Sequence, residues 1–215
     1  MIRLRRPATL LLSPTPFVPD GADLDDIDER WDRLCASNPS CFDGRLLHVH
    51  AAQRNGCGGA AVHVSKCPYR FFAVQDDEFD LGVRPLGAKG MTWRDGNVLL
   101  GLRGEVVRHH AGDWEFAPAG CVEPGKDPAE VITRELHEET GLLADRPPAA
   151  IAIFFDATAR TWELVFEIYA STGAATADGR EYTELYWADP ADAAGMQLSP
   201  AAAAMVPLLR TPMSR

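Results

Sequence analysis

The run GCVEPGKDPAEVITRELHEETGL, from Gly120 to Leu142, limits what this chain can fold into more than any other stretch. Pro128 follows Asp127, and together they read as a helix start. An aspartate at that position accepts a free backbone N–H, and proline tolerates the first turn, where no donor is needed. Gly141 supplies the left-handed residue on which helices commonly end. At about 100° per residue, Glu135, Glu138 and Glu139 share an arc of about 100°. Ala129, Ile132 and Leu136 form a neighbouring apolar stripe that can dock the helix on a sheet. Like charges this close raise one another's pKa unless a cation lies among them. Hard oxygen donors in that number suit Mg²⁺ or Mn²⁺ rather than zinc. The glycines of AGCVEPG let the backbone bend and approach a ligand closely. A loop and helix that gather carboxylates around a divalent metal serve phosphoryl chemistry, because the metal screens a diphosphate and acidifies an attacking water.

Charge agrees with that direction. The chain has 21 basic and 31 acidic residues among 215, a formal charge of −10. Such a balance disfavours a nucleic acid polymer as partner, but leaves room for one small phosphorylated ligand held through a cation. Cys35, Cys41, Cys57, Cys67 and Cys121 are scattered without a CxxC pair. Reduced thiols in a cytoplasmic protein are therefore expected. The apolar patch near the start is broken by Pro7, Pro14 and Pro16 and is too short for a secretion signal. No run approaches the roughly 18 apolar residues of a membrane helix, so no membrane partner is expected.

The pattern divides near residue 79. Before it, ATLLLSP, GRLLHVHAAQ, GGAAVHVSK and RFFAVQ read as β runs, and DLDDIDERWDRLCASNP as a helix with Ile27, Trp31 and Leu34 on one face. After it, GAKGMTW and NVLLGLRG flank the turn RDG as a hairpin. AAIAIFFDA, TWELVFEIYAS and TELYWAD are further strands, and ADAAGM to AAAAMVPLL is helical. The expectation is an α+β chain: a β-rich extension over 1–79 and a second domain over 80–215.

The acidic stretch resembles the Nudix box. Gly120 matches its opening glycine, and Arg134, Glu135, Leu136, Glu138, Glu139, Gly141 and Leu142 match R-E-U-x-E-E-x-G-U, where U is aliphatic. The resemblance implies the Nudix fold, an α/β/α sandwich around a mixed β-sheet. It further implies that Glu135, Glu138 and Glu139 bind the metals with the Gly120 carbonyl, Glu138 and Glu139 also being catalytic, and that Arg134 orients the glutamates. One position departs: Lys126 replaces the first glutamate of the pattern. Two readings of Lys126 stand, a solvated loop lysine and a contact to substrate phosphate.

Members of this family often take a further glutamate from a loop after the box, as metal ligand or general base. GREYTELYW offers Glu181, with Glu184 in reserve. Arg103, ending VLLGLR, is a candidate phosphate partner. Trp114 is either a substrate contact or ordinary core. His109 and His110 read as a loop pair, and Cys121 as a small buried residue. NPSCFDGRLLHV and FDLGVRPLGAKG are loosely similar to the branch that includes the UDP-glucose pyrophosphatases. The extension would then carry substrate information, or else serve packing or a homodimer. The implied activity is Mg²⁺- or Mn²⁺-dependent hydrolysis of a nucleoside diphosphate linked to another moiety, a nucleotide sugar first and ADP-ribose next. A non-catalytic nucleotide-binding regulator is the alternative. An isomerase of the isopentenyl diphosphate type shares the fold but finds no support in the acidic site.

Overall fold

The computed structural model describes residues 1–21, 23–37, 41–105 and 107–209. Its strands are β1 (Ile2–Arg3), β2 (Thr9–Leu12), β3 (Arg45–Arg54), β4 (Ala60–Pro68), β5 (Leu86–Arg94), β6 (Asn97–Arg103), β7 (Trp114–Phe116), β8 (Ala119–Cys121), β9 (Ala149–Asp156), β10 (Thr161–Tyr169) and β11 (Tyr182–Ala188). The helices are α1 (Leu24–Ser37), α2 (Tyr69–Ala73), α3 (Pro128–Thr140), α4 (Pro190–Ala193) and α5 (Pro200–Met205), with a 3-10 turn at Val206–Leu208.

The main sheet runs β1-β9-β10-β5-β6-β11, with β7 paired to β6 and β8 to β5. It is mixed: β5 and β10 are parallel, and every other pair is antiparallel. The β5–β6 hairpin turns through Asp95 (φ 50°) and Gly96 (φ 84°). Two successive positive-φ residues suit the twist of the flanking strands, which is why an Asp-Gly pair stands there.

Period-two alternation sends each strand's side chains to both faces. Leu86, Leu99, Ile153, Leu164 and Phe166 share one core with Ile132 and Leu136 of α3. Met91, Leu100, Phe154 and Val165 face the other way, onto Ala201, Ala202 and Met205 of α5. Helices therefore cover the sheet on both sides.

The smaller sheet, in the order β2-β4-β3, lies over the α3 side. Leu47, Val49, Val62 and Val64 belong to the same core as Ile132 and Leu136. Val49 N–H donates to Arg84 O at 2.8 Å, fixing β3 beside the start of β5. Beneath α1 and α2 a third cluster joins Ile27, Leu46, Cys67, Phe71, Val74 and Val83. No helix among the described residues is long and apolar enough to cross a membrane.

RFFAVQ, expected as a strand, is instead largely the helix α2. β4 ends at Pro68, which has no N–H to extend a ladder. Phe71 and Val74, three apart, are both buried in the third cluster, which is helical spacing. Its apolar centre, Phe71 to Val74, is only four residues long, so periodicity alone could not separate the two states.

Candidate active site

Asp127 Oδ1 accepts the Ala129 N–H at 2.8 Å, and Gly141 closes α3 at φ 68°. These ends fix where the helix starts and stops, and burial of Ile132 and Leu136 sets the direction of its glutamates. Glu139 turns inward, 4% exposed, where its Oε2 accepts the Ala119 N–H at 3.1 Å. Burial pushes its carboxyl up to about 9, partly offset by that N–H, and the Glu135 and Glu181 charges push the same way as burial. Burial likewise raises Glu135. Arg134 lies outside, donating to Glu135 Oε1 and Glu138 Oε2, each at 2.8 Å. It holds two of the three glutamates by charge-assisted hydrogen bonds.

Gly120 explains how the loop can approach α3. A Cβ on Gly120 would stand 2.6 Å from Glu135 Oε1 and 2.5 Å from its Cγ. Only a residue without a side chain lets β8 lie against the glutamate.

The opposite bank comes from β6 and the loop before β11. Asp178 Oδ1 accepts the N–H groups of Glu181 and Tyr182, both at 3.0 Å, and so shapes that loop. Arg103 Nη1 donates to Glu181 Oε2 at 2.9 Å, and its Nε lies 3.9 Å from Glu115 Oε2. Beneath them Lys89 Nζ donates to Glu115 Oε2 at 3.0 Å, while Ser199 Oγ donates to Glu115 Oε1 at 2.7 Å. Burial opposes both charges, but the attraction outweighs it, raising the Lys89 pKa and lowering that of Glu115.

The two banks enclose a cleft of about 490 Å³, lined among others by Arg103, Gly120, Glu135, Glu138, Glu139 and Glu181. Six residues read from the sequence as site candidates thus meet in one place. Trp114 and Lys126 do not line the cleft. Trp114 packs with the α5-side core, its ring 6.4 Å from that of Tyr186. Lys126 is exposed on the loop before α3, its N–H donating to Glu123 O at 3.2 Å. Arg134 is at the rim, 47% exposed. Glu184 is exposed on β11 and also lies outside the cleft lining. Cys121, expected to be buried, is exposed, because β8 is a short edge piece beside the cleft.

Sequence reading missed Lys89 and Glu163, and Tyr69 and Phe72 of α2, which also line the cleft. Lys89 carried a signal: one lysine inside the apolar run LGAKGMTW needs a partner if that run is a buried strand.

Among the described residues, no three His, Cys, Asp or Glu side chains converge closely enough to grip one ion in this arrangement. Arg134 occupies an oxygen each of Glu135 and Glu138. The donor chemistry nevertheless fits a hard divalent cation: carboxylate oxygens face one cleft, and Gly120 leaves its backbone open toward them.

This mixed sheet, with its glutamate-bearing helix against a glycine loop, is the Nudix arrangement. The family model of the NUDIX domain matches residues 85–211, more than half of the chain, and the protein belongs to that family. A CTP pyrophosphohydrolase of Escherichia coli (strain K12) is 32% identical over 122 residues, covering 56% of this chain and 85% of the relative. An RNA pyrophosphohydrolase of Brucella melitensis is 28% identical over 93 residues, 43% of this chain. The match spans 46% of that relative's length, about half. Among solved structures, a MutT protein from Methanosarcina mazei Go1 aligns with a TM-score of 0.48 at 26% identity, covering 56% of this chain and 88% of that one.

Proposed function

We propose that the protein hydrolyses the diphosphate of a nucleoside diphosphate linked to another moiety, with a nucleotide sugar such as UDP-glucose first and ADP-ribose next. The observation that carries this reading is the meeting of Glu135, Glu138, Glu139 and Glu181 with Arg103 around a single cleft. In this reading Glu135, Glu138, Glu139 and the Gly120 carbonyl hold Mg²⁺ or Mn²⁺, which supplies charge screening for the diphosphate. Arg134 keeps Glu135 and Glu138 oriented from the rim. Glu181 takes the proton of the attacking water, whose oxygen bonds to one phosphorus as the bridging P–O bond breaks. Arg103 holds Glu181 in place for that step. Lys126, exposed and outside the cleft lining, takes no part in metal binding. The free state of all five cysteines suits a cytoplasmic enzyme.

The Escherichia coli relative, named for CTP, favours a second reading in which a nucleoside triphosphate is cleaved. One panel tests both: nucleoside triphosphates, nucleotide sugars and ADP-ribose, each with Mg²⁺ and with Mn²⁺, beside Glu138→Gln and Glu139→Gln. Turnover of at least one member is expected, reduced about 100-fold or more in both variants. Turnover of none, with nucleotide still bound, would replace the hydrolase with a nucleotide-binding regulator.

A further inference from the structure

The carboxylate bank accounts for only part of the cleft. Its other wall includes Tyr69 and Phe72 of α2, together with His109 from the segment between β6 and β7. Tyr69 and Phe72 stand edge to face at 6.3 Å between centroids, and the His109 ring is 6.5 Å from that of Phe72. Both aromatics are only half-buried, although Phe71 between them in the chain is buried. Their rings thus reach a space that the core does not fill.

The wall is braced. Arg108 Nη2 donates to Gln75 O at 2.6 Å and Nη1 to Phe72 O at 3.3 Å, while the guanidinium lies 4.7 Å from the Phe72 ring centroid. These bonds fasten the segment bearing His109 to α2. His109 Nε2 is buried and has no hydrogen-bond partner among the described residues. Burial lowers its pKa to about 4, with Arg108 and His110 acting in the same direction, so the ring is neutral near pH 7. A buried neutral imidazole nitrogen without a partner is costly unless a ligand edge completes it.

We propose that Tyr69, Phe72 and His109 form the nucleobase subsite, the rings receiving the face of the base and His109 Nε2 meeting its edge. The inference rests on the hydrolase reading for the orientation of the ligand, whose diphosphate faces the glutamates. The cleft volume of about 490 Å³ falls within the roughly 300–1,000 Å³ usual for small-molecule sites. Stacking on an aromatic side chain tolerates any base, so a choice among bases falls to the His109 edge.

The test is calorimetric binding of the four common nucleoside monophosphates and of base-free ribose 5-phosphate to the full chain. At least one nucleotide is expected to bind more tightly than ribose 5-phosphate. In Phe72→Leu, the ratio of nucleotide to ribose 5-phosphate affinity should fall about tenfold. His109→Gln, which retains a polar edge, and His109→Ala should each reorder the preference among bases rather than weaken all equally. The proposal is overturned if nucleotides bind the native protein no better than ribose 5-phosphate, or if Phe72→Leu leaves the ratio unchanged. Nucleotide binding with this pattern, but without turnover of any substrate, would overturn the hydrolase reading and leave the base subsite standing.

Discussion

Arg103 and Glu181 are joined end to end: Nη1 of one donates to Oε2 of the other at 2.9 Å, across the β6–β11 edge of the main sheet. The arginine that the sequence suggested as a phosphate partner is therefore engaged with the proposed base. Arg103→Ala should lower kcat by about 10- to 100-fold, because Glu181 loses the group that orients it. Arg103→Lys should recover part of that loss. Steady-state kinetics decide the matter. A rise in KM at constant kcat would show instead that Arg103 binds the substrate phosphate in the ground state.

Gly120→Ala tests the close approach of β8 to α3. The new methyl would meet Glu135 Cγ at 2.5 Å, and the carboxylate would have to move. Activity should fall at least tenfold, with about 1–3 kcal/mol lost in denaturant unfolding from overpacking. Full activity would mean that Glu135 need not hold the position seen here.

Glu115 and Lys89 form a buried ion pair, with Glu115 further held by Ser199 and only 2% exposed. Truncating Glu115 removes the hydrogen-bonded counter-charge of Lys89, and truncating Lys89 leaves Glu115 only Ser199 and the more distant Arg103. Glu115→Ala should therefore cost about 3–5 kcal/mol in urea unfolding, and Lys89→Met a similar amount. The double variant Lys89→Met/Glu115→Leu should recover much of the loss, since well-packed apolar replacements of buried pairs are often nearly neutral. Strict additivity in this cycle would argue against coupling between the two residues.

His48 gives a pH dependence of stability. Its Nδ1 accepts the Arg84 N–H at 3.0 Å, and its ring stacks on Phe17 at 3.8 Å between centroids. Burial lowers its pKa from 6.5 to about 4, with His50 and Arg84 acting in the same direction. Below pH 6.5 the unfolded chain takes up a proton that the folded chain refuses until about pH 4. This contribution is complete above the unfolded pKa and is lost as pH falls through that window, in all by ~3 kcal/mol. His48→Gln keeps an acceptor for Arg84 and cannot titrate. Unfolding midpoints taken between pH 7 and pH 4 should fall less steeply in the variant, and equal slopes would exclude His48 as the source.

The sequence revealed the helix α3 almost completely, because its information is local. Asp127, Pro128 and Gly141 mark its ends, and the spacing of Glu135, Glu138 and Glu139 sets their shared direction. The β5–β6 hairpin was equally legible from Asp95-Gly96. What stayed hidden depends on distant parts of the chain. The aromatic wall joins Phe72 to His109, and nothing near either residue announces the other. The Glu115–Ser199 contact spans 84 positions. Trp114 and Arg103 looked alike as candidates beside the cleft, but pairing of β6 with β7 directs Trp114 to the opposite core. The helix α2 differs from the strand expected there because Tyr69–Ala73 is too short for its periodicity to separate the two states, and only the packing of Phe71 distinguishes them.

Asp178 receives the N–H groups of Glu181 and Tyr182 and also, at 3.2 Å, that of Arg180. Three successive peptide groups are thus ordered by one carboxylate. The conformational freedom of this turn is surrendered when the chain folds, not when a ligand arrives. In the proposed reaction Glu181 would meet each incoming water from an arrangement that needs little reorganisation, so the entropy of ordering its backbone would add nothing to the barrier of each turnover.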